Sequence, residues 1–358
     1  MRVAVIGAGV MGLATAFELA RRDARVTVYE RDVVGNELAS STDRSKVFRF
    51  AYPDPFYADL GRRALPLWRD LERWSGEPLL EQCGVLYLDA AGREARATDA
   101  TLAAVGAPHD LLDAAAIAAR FPAFRVPPGT LAAWDPSGGF LRADRAVAAL
   151  ARRARAAGAE IRERQPVRLD GVEADVVVLA AGPWSATLAS GLPVRTTLQE
   201  TIYAVPRRPP SFAPERFPVF IDAQDGYYGF PLHAGGLVKL ARHRPGREHA
   251  PLERQDESSA EFIAACRRFW GAWLPELADA DVTTSRVCLY NNTPDEDFLV
   301  GRDRHAVLCT GFSGHGFKFA PLVGRLCAQI VCGEPTDVDV ARFAPARFAS
   351  ARPARFVR

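Results

Sequence analysis

Long apolar runs, paired cysteines, internal repeats and an excess of charge of one sign are all missing from this chain of 358 residues. No segment approaches the roughly eighteen apolar residues that a membrane span needs. The run VAVIGAGV follows Arg2 directly, without the basic leader and cleavage site of a secretory signal. Cys83, Cys266, Cys288, Cys309, Cys327 and Cys332 are scattered. They form no CxxC pair and no Cys/His spacing of a metal site, so they read as reduced thiols of a cytoplasmic protein, mostly small buried hydrophobes. A net charge of +2 gives no argument for a nucleic-acid partner. The Arg-rich stretch ARRARAAGAEIRER reads instead as the solvated face of an Ala-rich helix.

What remains is an ordinary soluble composition, 48% apolar and 25% charged, on a chain long enough for two domains. The first thirty residues are the clearest unit. RVAVI reads as a strand, GAGVMG as a glycine turn, LATAFELARR as a helix and RVTVYE as a second strand ending in an acid. Gly7, Gly9 and Gly12 fall in the GxGxxG spacing of a dinucleotide turn. The first glycine permits the tight turn, the second lets the backbone meet a pyrophosphate, and the third lets helix and strand pack closely. Glu30 ends the second strand, where a carboxylate accepts the hydroxyls of an adenosine ribose.

Next come the polar run SSTDRSKVFRFAY and a helical stretch in which Phe56, Leu60, Leu67, Trp68 and Leu71 share one stripe, with Pro66 breaking or kinking it. Residues 76–135 read as mixed and loop-rich. ADRAVAALARRARAAGAEI is a long helix, and VVVLAA a buried strand running into Gly182. From about 190 to 285, the pieces TIYAV, VFIDA, YYGFPL and LVKLARH alternate with turns and a helix near EFIAACRRFWGAW, which predicts an antiparallel sheet. The fold class is therefore α/β: a Rossmann-like dinucleotide-binding domain with an interleaved second domain on a mainly antiparallel sheet. We assign 1–75, 136–190 and 286–358 to the first domain and 76–135 and 191–285, the substrate domain, to the second.

CTGFSGHGFKFAP places Lys318 between two phenylalanines after Gly311, Gly314 and Gly316. The lysine is either a surface charge beside a turn or a cation set next to an anionic group. The glycines favour close approach of the main chain to a ligand.

GAGVMG, SKVFRFAY, VVVLAAGPWS, YYGFPLHAGGLVKLARH, VCLYNNTPDEDFLV and TGFSGHGFKF, taken together and in order, resemble the monomeric sarcosine oxidase family of flavin-dependent amine oxidases. The resemblance implies FAD, oxidation of a C–N bond in an amino or imino acid, and oxygen as the acceptor with release of hydrogen peroxide. It implies a thioether between Cys288 and the flavin, and an oxygen-activating lysine at Lys239. His243 takes the place of a substrate-site histidine, and Tyr228 and Tyr290 those of pocket aromatics. Lys318 and Arg49 fall where the family holds the substrate carboxylate. Planar arginine suits a carboxylate and lysine adds a compact charge.

Two positions depart from the family pattern. Lys46 stands where a flavin-facing arginine is expected, keeping the charge and losing the fork, and Phe50 replaces a histidine, which alters access to the pocket. The expected activity is oxidation of a secondary or cyclic amino acid to an imine by a cytoplasmic monomer. The alternatives are a tailoring oxidase or dehydrogenase of a larger amine, and a non-catalytic flavin- or nicotinamide-binding protein.

Overall fold

The computed structural model describes residues 1–348 apart from 252, 254–256 and 305. The last ten residues assigned above to the FAD-binding domain therefore lie outside the described residues. Strand β1 (Arg2–Ile6), helix α1 (Val10–Ala20) and strand β2 (Arg25–Tyr29) form the βαβ unit. β1 begins a six-stranded sheet in the order Leu299–Arg302, Val307–Thr310, Val176–Leu179, β1, β2, Glu160–Arg162. Five of these strands run parallel, and Leu299–Arg302 closes one edge antiparallel to its neighbour. Parallel strands covered on both faces favour unbroken apolar runs, and in β1 every residue after Arg2 is buried.

Helix α1 is buried almost all round. Its N-terminal half needs glycine: a Cβ on Gly12 would lie 1.9 Å from the Gly7 carbonyl oxygen. Gly324, on the helix Ala320–Cys332, likewise lets that helix approach Ala14: a Cβ there would lie 2.6 Å from the Ala14 carbonyl carbon.

The second sheet has eight strands, in the order Asp281–Asn292, Arg195–Val205, Leu237–Arg242, Tyr227–His233, Val219–Asp222, Val85–Asp89, Leu131–Asp135, Asp110–Asp113. Only the pairing of Val219–Asp222 with Val85–Asp89 is parallel. The four pieces read as strands between 190 and 285 are all here, and Ala260–Trp273 is the helix beside them. Strand Asp281–Asn292 runs straight through the expected boundary at 285/286. A three-stranded sheet joins β3 (Lys46–Phe48) to Gly139–Leu141 and Leu80–Glu81.

Two local expectations are corrected. Helix α2 (Pro55–Ser75) is one 21-residue element that passes Pro66 without ending. It starts where Asp54 accepts a hydrogen bond from Phe56 N at 2.9 Å, and it stops at Gly76 in the left-handed region. The buried faces of Leu60, Ala64, Trp68 and Leu71 carry it past the proline. Residues 76–135 are ordered rather than loop-rich: they supply three strands of the large sheet and helices Arg93–Ala104 and Ala114–Arg120.

Candidate active site

The carboxyl ends of the parallel strands converge on one cavity of about 840 Å³. Gly7 follows β1, Glu30 follows β2, and Gly182 lies just beyond Val176–Leu179; all three line it. This is where open α/β sheets bind ligands. The larger sheet supplies the opposite wall through Tyr228, His243 and Tyr290, and the loop after Val307–Thr310 adds Gly314, Gly316 and Lys318.

At the first end the N-terminus of α1 faces the cavity through Gly9, Val10 and Met11. Gly9 makes no side-chain cap, while Ser41 Oγ accepts from Val10 N at 3.0 Å. Gly7 has a φ of +104°, and a Cβ there would lie 2.5 Å from the Ala180 oxygen, so only glycine makes this turn. Glu30 is buried; Oε2 accepts from Ala8 N at 2.8 Å and Oε1 from Asp32 N at 3.0 Å. The turn and the carboxylate are thus locked together. Beside them the Arg31 guanidinium lies 4.8 Å from the centre of the Trp184 ring, and both residues line the cavity.

The other end is cationic. Arg49 donates to the Ala51 oxygen at 2.6 Å and stacks 3.9 Å from the centre of the Tyr52 ring. Asp135, wholly buried, accepts from Phe50 N at 2.6 Å and Ala51 N at 3.2 Å, and so fixes the chain just after Arg49. Lys318 Nζ donates to the Tyr52 hydroxyl at 2.9 Å and to the His315 oxygen at 2.7 Å. Among the described residues neither Arg49 nor Lys318 is paired with a carboxylate. Burial and the Arg49 charge push the Lys318 ammonium well below its ordinary pKa. Burial, Arg49 and Lys318 together bring His243 down to about 4, so it is neutral at pH 7. Two adjacent cations without an anion make a site that favours an anionic ligand.

A third cluster lies behind this wall. Asp43 Oδ2 accepts from Lys239 Nζ at 2.7 Å, with Lys46 Nζ 3.5 Å away, while the Tyr203 hydroxyl donates to Oδ1. Burial works to raise the Asp43 pKa, and the two ammonium groups overcome it and hold the carboxyl well below its usual range. Cys288 Sγ sits 3.9 Å from Lys46 Nζ and 3.7 Å from the Ser40 oxygen.

Of the residues singled out from sequence, Gly7, Gly9, Glu30, Lys46, Arg49, Gly182, Tyr228, His243, Tyr290, Gly314, Gly316 and Lys318 are brought together around the cavity. Gly12, Lys239, Cys288 and Gly311 stand one layer back; Lys239 is turned to Asp43, and Cys288 follows in chain just before the lining residues Leu289 and Tyr290. Gly314 lets the loop cross a ring: a Cβ there would meet Tyr290 at 2.0 Å. Phe50 is buried against Phe48 and does not line the cavity, so it does not shape access as the sequence suggested.

Sequence reasoning missed Asp43, Tyr52, Trp184 and Asn291. Tyr52 was within reach as the aromatic three residues after Arg49 in FRFAY; Asn291 gave no signal beyond its place in LYNNTP. Asn291 Oδ1 accepts from Thr310 Oγ1 and Gly311 N, which leaves Nδ2 buried and without a partner among the described residues, on a residue that lines the cavity. Trp184 Nε1 is likewise buried and unpartnered among the described residues. Buried donors left unmade cost stability, so both fit a ligand rich in acceptors. A glycine turn at a helix N-terminus, an acid after the second strand, an aromatic–guanidinium pair and two waiting donors suit FAD.

Comparison with known proteins agrees. Residues 2–330 match the family described as "FAD dependent oxidoreductase". Peroxisomal sarcosine oxidase of Mus musculus is 32% identical over 97% of this chain and 96% of its own length. N-methyl-L-tryptophan oxidase of Yersinia pestis is 28% identical over 96% of this chain and 98% of its own. Among solved structures, NikD, an unusual amino acid oxidase essential for nikkomycin biosynthesis, aligns with a TM-score of 0.79 at 27% identity, covering 96% of each chain. L-proline dehydrogenase from P. horikoshii, at 22% identity and a TM-score of 0.85 over 97% of each chain, shares the fold. With the βαβ turn, the acid after β2 and the waiting donors all in place along one cavity, the chain is a flavoenzyme and belongs to the FAD-dependent oxidoreductase family.

Proposed function

We propose that this enzyme oxidises the C–N bond of a secondary or cyclic amino acid, or a related amine carboxylate, to an imine, and that oxygen is reduced to hydrogen peroxide. The observation that supports this most is the pair of half-buried Arg49 and buried Lys318, which share Tyr52 and lack a carboxylate partner among the described residues. The relatives act, by name, on sarcosine and N-methyl-L-tryptophan. Both are amines that carry a carboxylate.

Bound FAD supplies a two-electron acceptor. Gly7, Gly9 and the N-terminus of α1 would hold its pyrophosphate, Glu30 its ribose, and Asn291 and Trp184 would donate to its acceptors. Gly182, Gly314 and Gly316 would keep backbone close to it, and Gly311 would support Asn291 from behind. Arg49 and Lys318 take the substrate carboxylate and so orient the carbon beside it. Their charges also disfavour an ammonium group nearby, as they do at His243, and the substrate is held as the neutral amine whose lone pair is free. Tyr228 and Tyr290 wall its apolar part, with His243 as a neutral hydrogen-bonding neighbour, its ring centre 5.7 Å from that of Tyr290. The amine loses two electrons and two protons to become an imine, and oxygen gains both to become peroxide. Lys239 acts in that second half. Its ammonium has three donors, of which Asp43 and the Ser45 oxygen take two.

The reading keeps the division of the chain given above, with 1–75, 136–190 and 286–358 around the cofactor and 76–135 and 191–285 around the substrate, in a cytoplasmic monomer. A second reading is a biosynthetic tailoring oxidase or dehydrogenase of a larger amine, open to two successive two-electron steps; likeness to NikD, an amino acid oxidase essential for a biosynthesis, supports its biosynthetic part. An oxygen electrode separates the two. With a panel of secondary and cyclic amino acids, oxygen uptake of one equivalent, half of it returned by catalase, supports the first reading; two equivalents per substrate support the second. A panel that reduces the flavin without taking up oxygen removes the oxidase assignment.

The reading also includes a thioether between FAD and Cys288, whose sulfur lies 3.9 Å from the Lys46 ammonium. Acid-precipitated wild-type protein should stay yellow and fluoresce as a band on a denaturing gel, and Cys288→Ser should lose both. Flavin that washes out of the wild type shows that the cofactor is held without a covalent bond.

A further inference from the structure

The roles assigned above give Asp43 no part of its own, although its carboxylate is buried and gathers Lys239, Lys46 and the Tyr203 hydroxyl. It precedes β3, and Lys239 reaches it across 196 positions of sequence. Lys239 makes the shorter contact, 2.7 Å against 3.5 Å for Lys46, and is shut in by the Ser45 oxygen and the Phe230 ring, whose centre lies 4.6 Å from Nζ. The two lysines face different ways. Only 1% of the Lys239 side chain is exposed and it does not line the cavity, whereas Lys46 is 18% exposed, lines the cavity and reaches toward Cys288. Two ammonium groups and one carboxylate leave a net charge of +1 at this wall. In a buried setting a unit charge a few ångströms away is worth far more than at the surface.

We propose that Asp43 is a positioning residue that pairs off Lys239 behind the cavity wall and aims Lys46 at Cys288, so that one positive charge rather than two bears on the cofactor. The inference rests on FAD occupying this cavity and not on the identity of the amine. It has a signature that plain structural support lacks. Removing the carboxylate adds one net positive charge, removing Lys239 subtracts one, and removing both restores +1.

The test is the two-electron reduction equilibrium of the bound flavin, measured against a reference dye, in wild type, Asp43→Asn, Lys239→Met and the double variant. Reduction adds negative charge, so Asp43→Asn should shift the equilibrium at least tenfold toward the reduced form, about 30 mV. Lys239→Met should shift it at least tenfold the other way. The double variant should return to within about threefold of the wild type, a coupling that independent sites do not show. Single-variant shifts in the same direction, or a double variant displaced as far as Lys239→Met, overturn the proposal. Asp43→Asn leaves two buried ammonium groups without an anion and is the variant most exposed to misfolding. Should it not fold, recovery in the double variant of what Lys239→Met loses decides the matter by itself. Wild-type protein that holds no FAD would overturn the cofactor assignment first, a result distinct from failure of the charge pattern.

Discussion

Lys318→Ala is expected to slow anaerobic reduction of the flavin by an amino acid substrate by about 10²- to 10³-fold, and Arg49→Ala by a similar factor. Truncating one member of a buried charged contact costs about 2–5 kcal/mol, and each 1.4 kcal/mol is about tenfold in rate. The effect should be confined to substrates that use the contact. A decarboxylated or amidated analogue never engages the two cations, so it should react slowly with the wild type and lose little more with either variant. A cycle that pairs each substitution with each form of the substrate isolates the interaction from general damage to the site. The Lys318 ammonium also bonds the Tyr52 hydroxyl and the His315 oxygen, so Lys318→Ala alone could act through the loop. Equal sensitivity of acid and amide would show this, and would reassign Lys318 to support of the fold.

The second large effect separates the two half-reactions. Lys239→Met should slow reoxidation of the reduced enzyme by oxygen about 10²- to 10³-fold while leaving anaerobic reduction by substrate within about tenfold. Oxygen becomes negatively charged as it takes up an electron, and a cation fixed in a water-poor site stabilises that charge without reorganising. Stopped-flow mixing of substrate-reduced enzyme with oxygen reads the first number, and anaerobic mixing the second. Equal losses in both would place Lys239 in the architecture of the Asp43 cluster alone. Because Lys239 is the tighter partner of Asp43, its removal also leaves that carboxylate to Lys46. Lys46→Met, which removes the cation that lines the cavity, is the control that separates the two lysines.

What was legible in the sequence follows the physics of each element. The βαβ unit could be read because every one of its parts is demanded locally: a strand, a turn that only glycine makes at Gly7, a helix, and an acid in place. Alternation in YYGFPL and LVKLAR showed the antiparallel strands for the same local reason. Residues 76–135 were misread because their strands are short and the helix Arg93–Ala104, REARATDATLAA, shows solvent a largely polar face. Burial of Val85–Asp89 on both sides is a tertiary fact, created by neighbours at 131–135 and 219–222. Pro66 looked like a helix break because the intrinsic cost of proline is local, whereas the packing that offsets it is not.

The site divides in the same way. Arg49 and Lys318 were named from the motifs around them, and the structure places both on one cavity. Asp43 was passed over inside a polar run, because nothing in SSTDRSK shows that its partner is a lysine on a strand of the other sheet. Asn291 and Trp184 were missed because an unpartnered donor exists only relative to a folded surrounding.

The most direct test of the account is an anaerobic titration of the purified yellow protein with matched pairs of secondary or cyclic amines, each with and without its carboxylate. The account predicts that the visible flavin band is bleached by at least one acid of the panel, at one equivalent per flavin, and that its decarboxylated partner bleaches it at least a hundredfold more slowly, on the order of the loss of a buried charged contact. A flavin that no amine reduces, or one that acid and partner reduce equally fast, would contradict it.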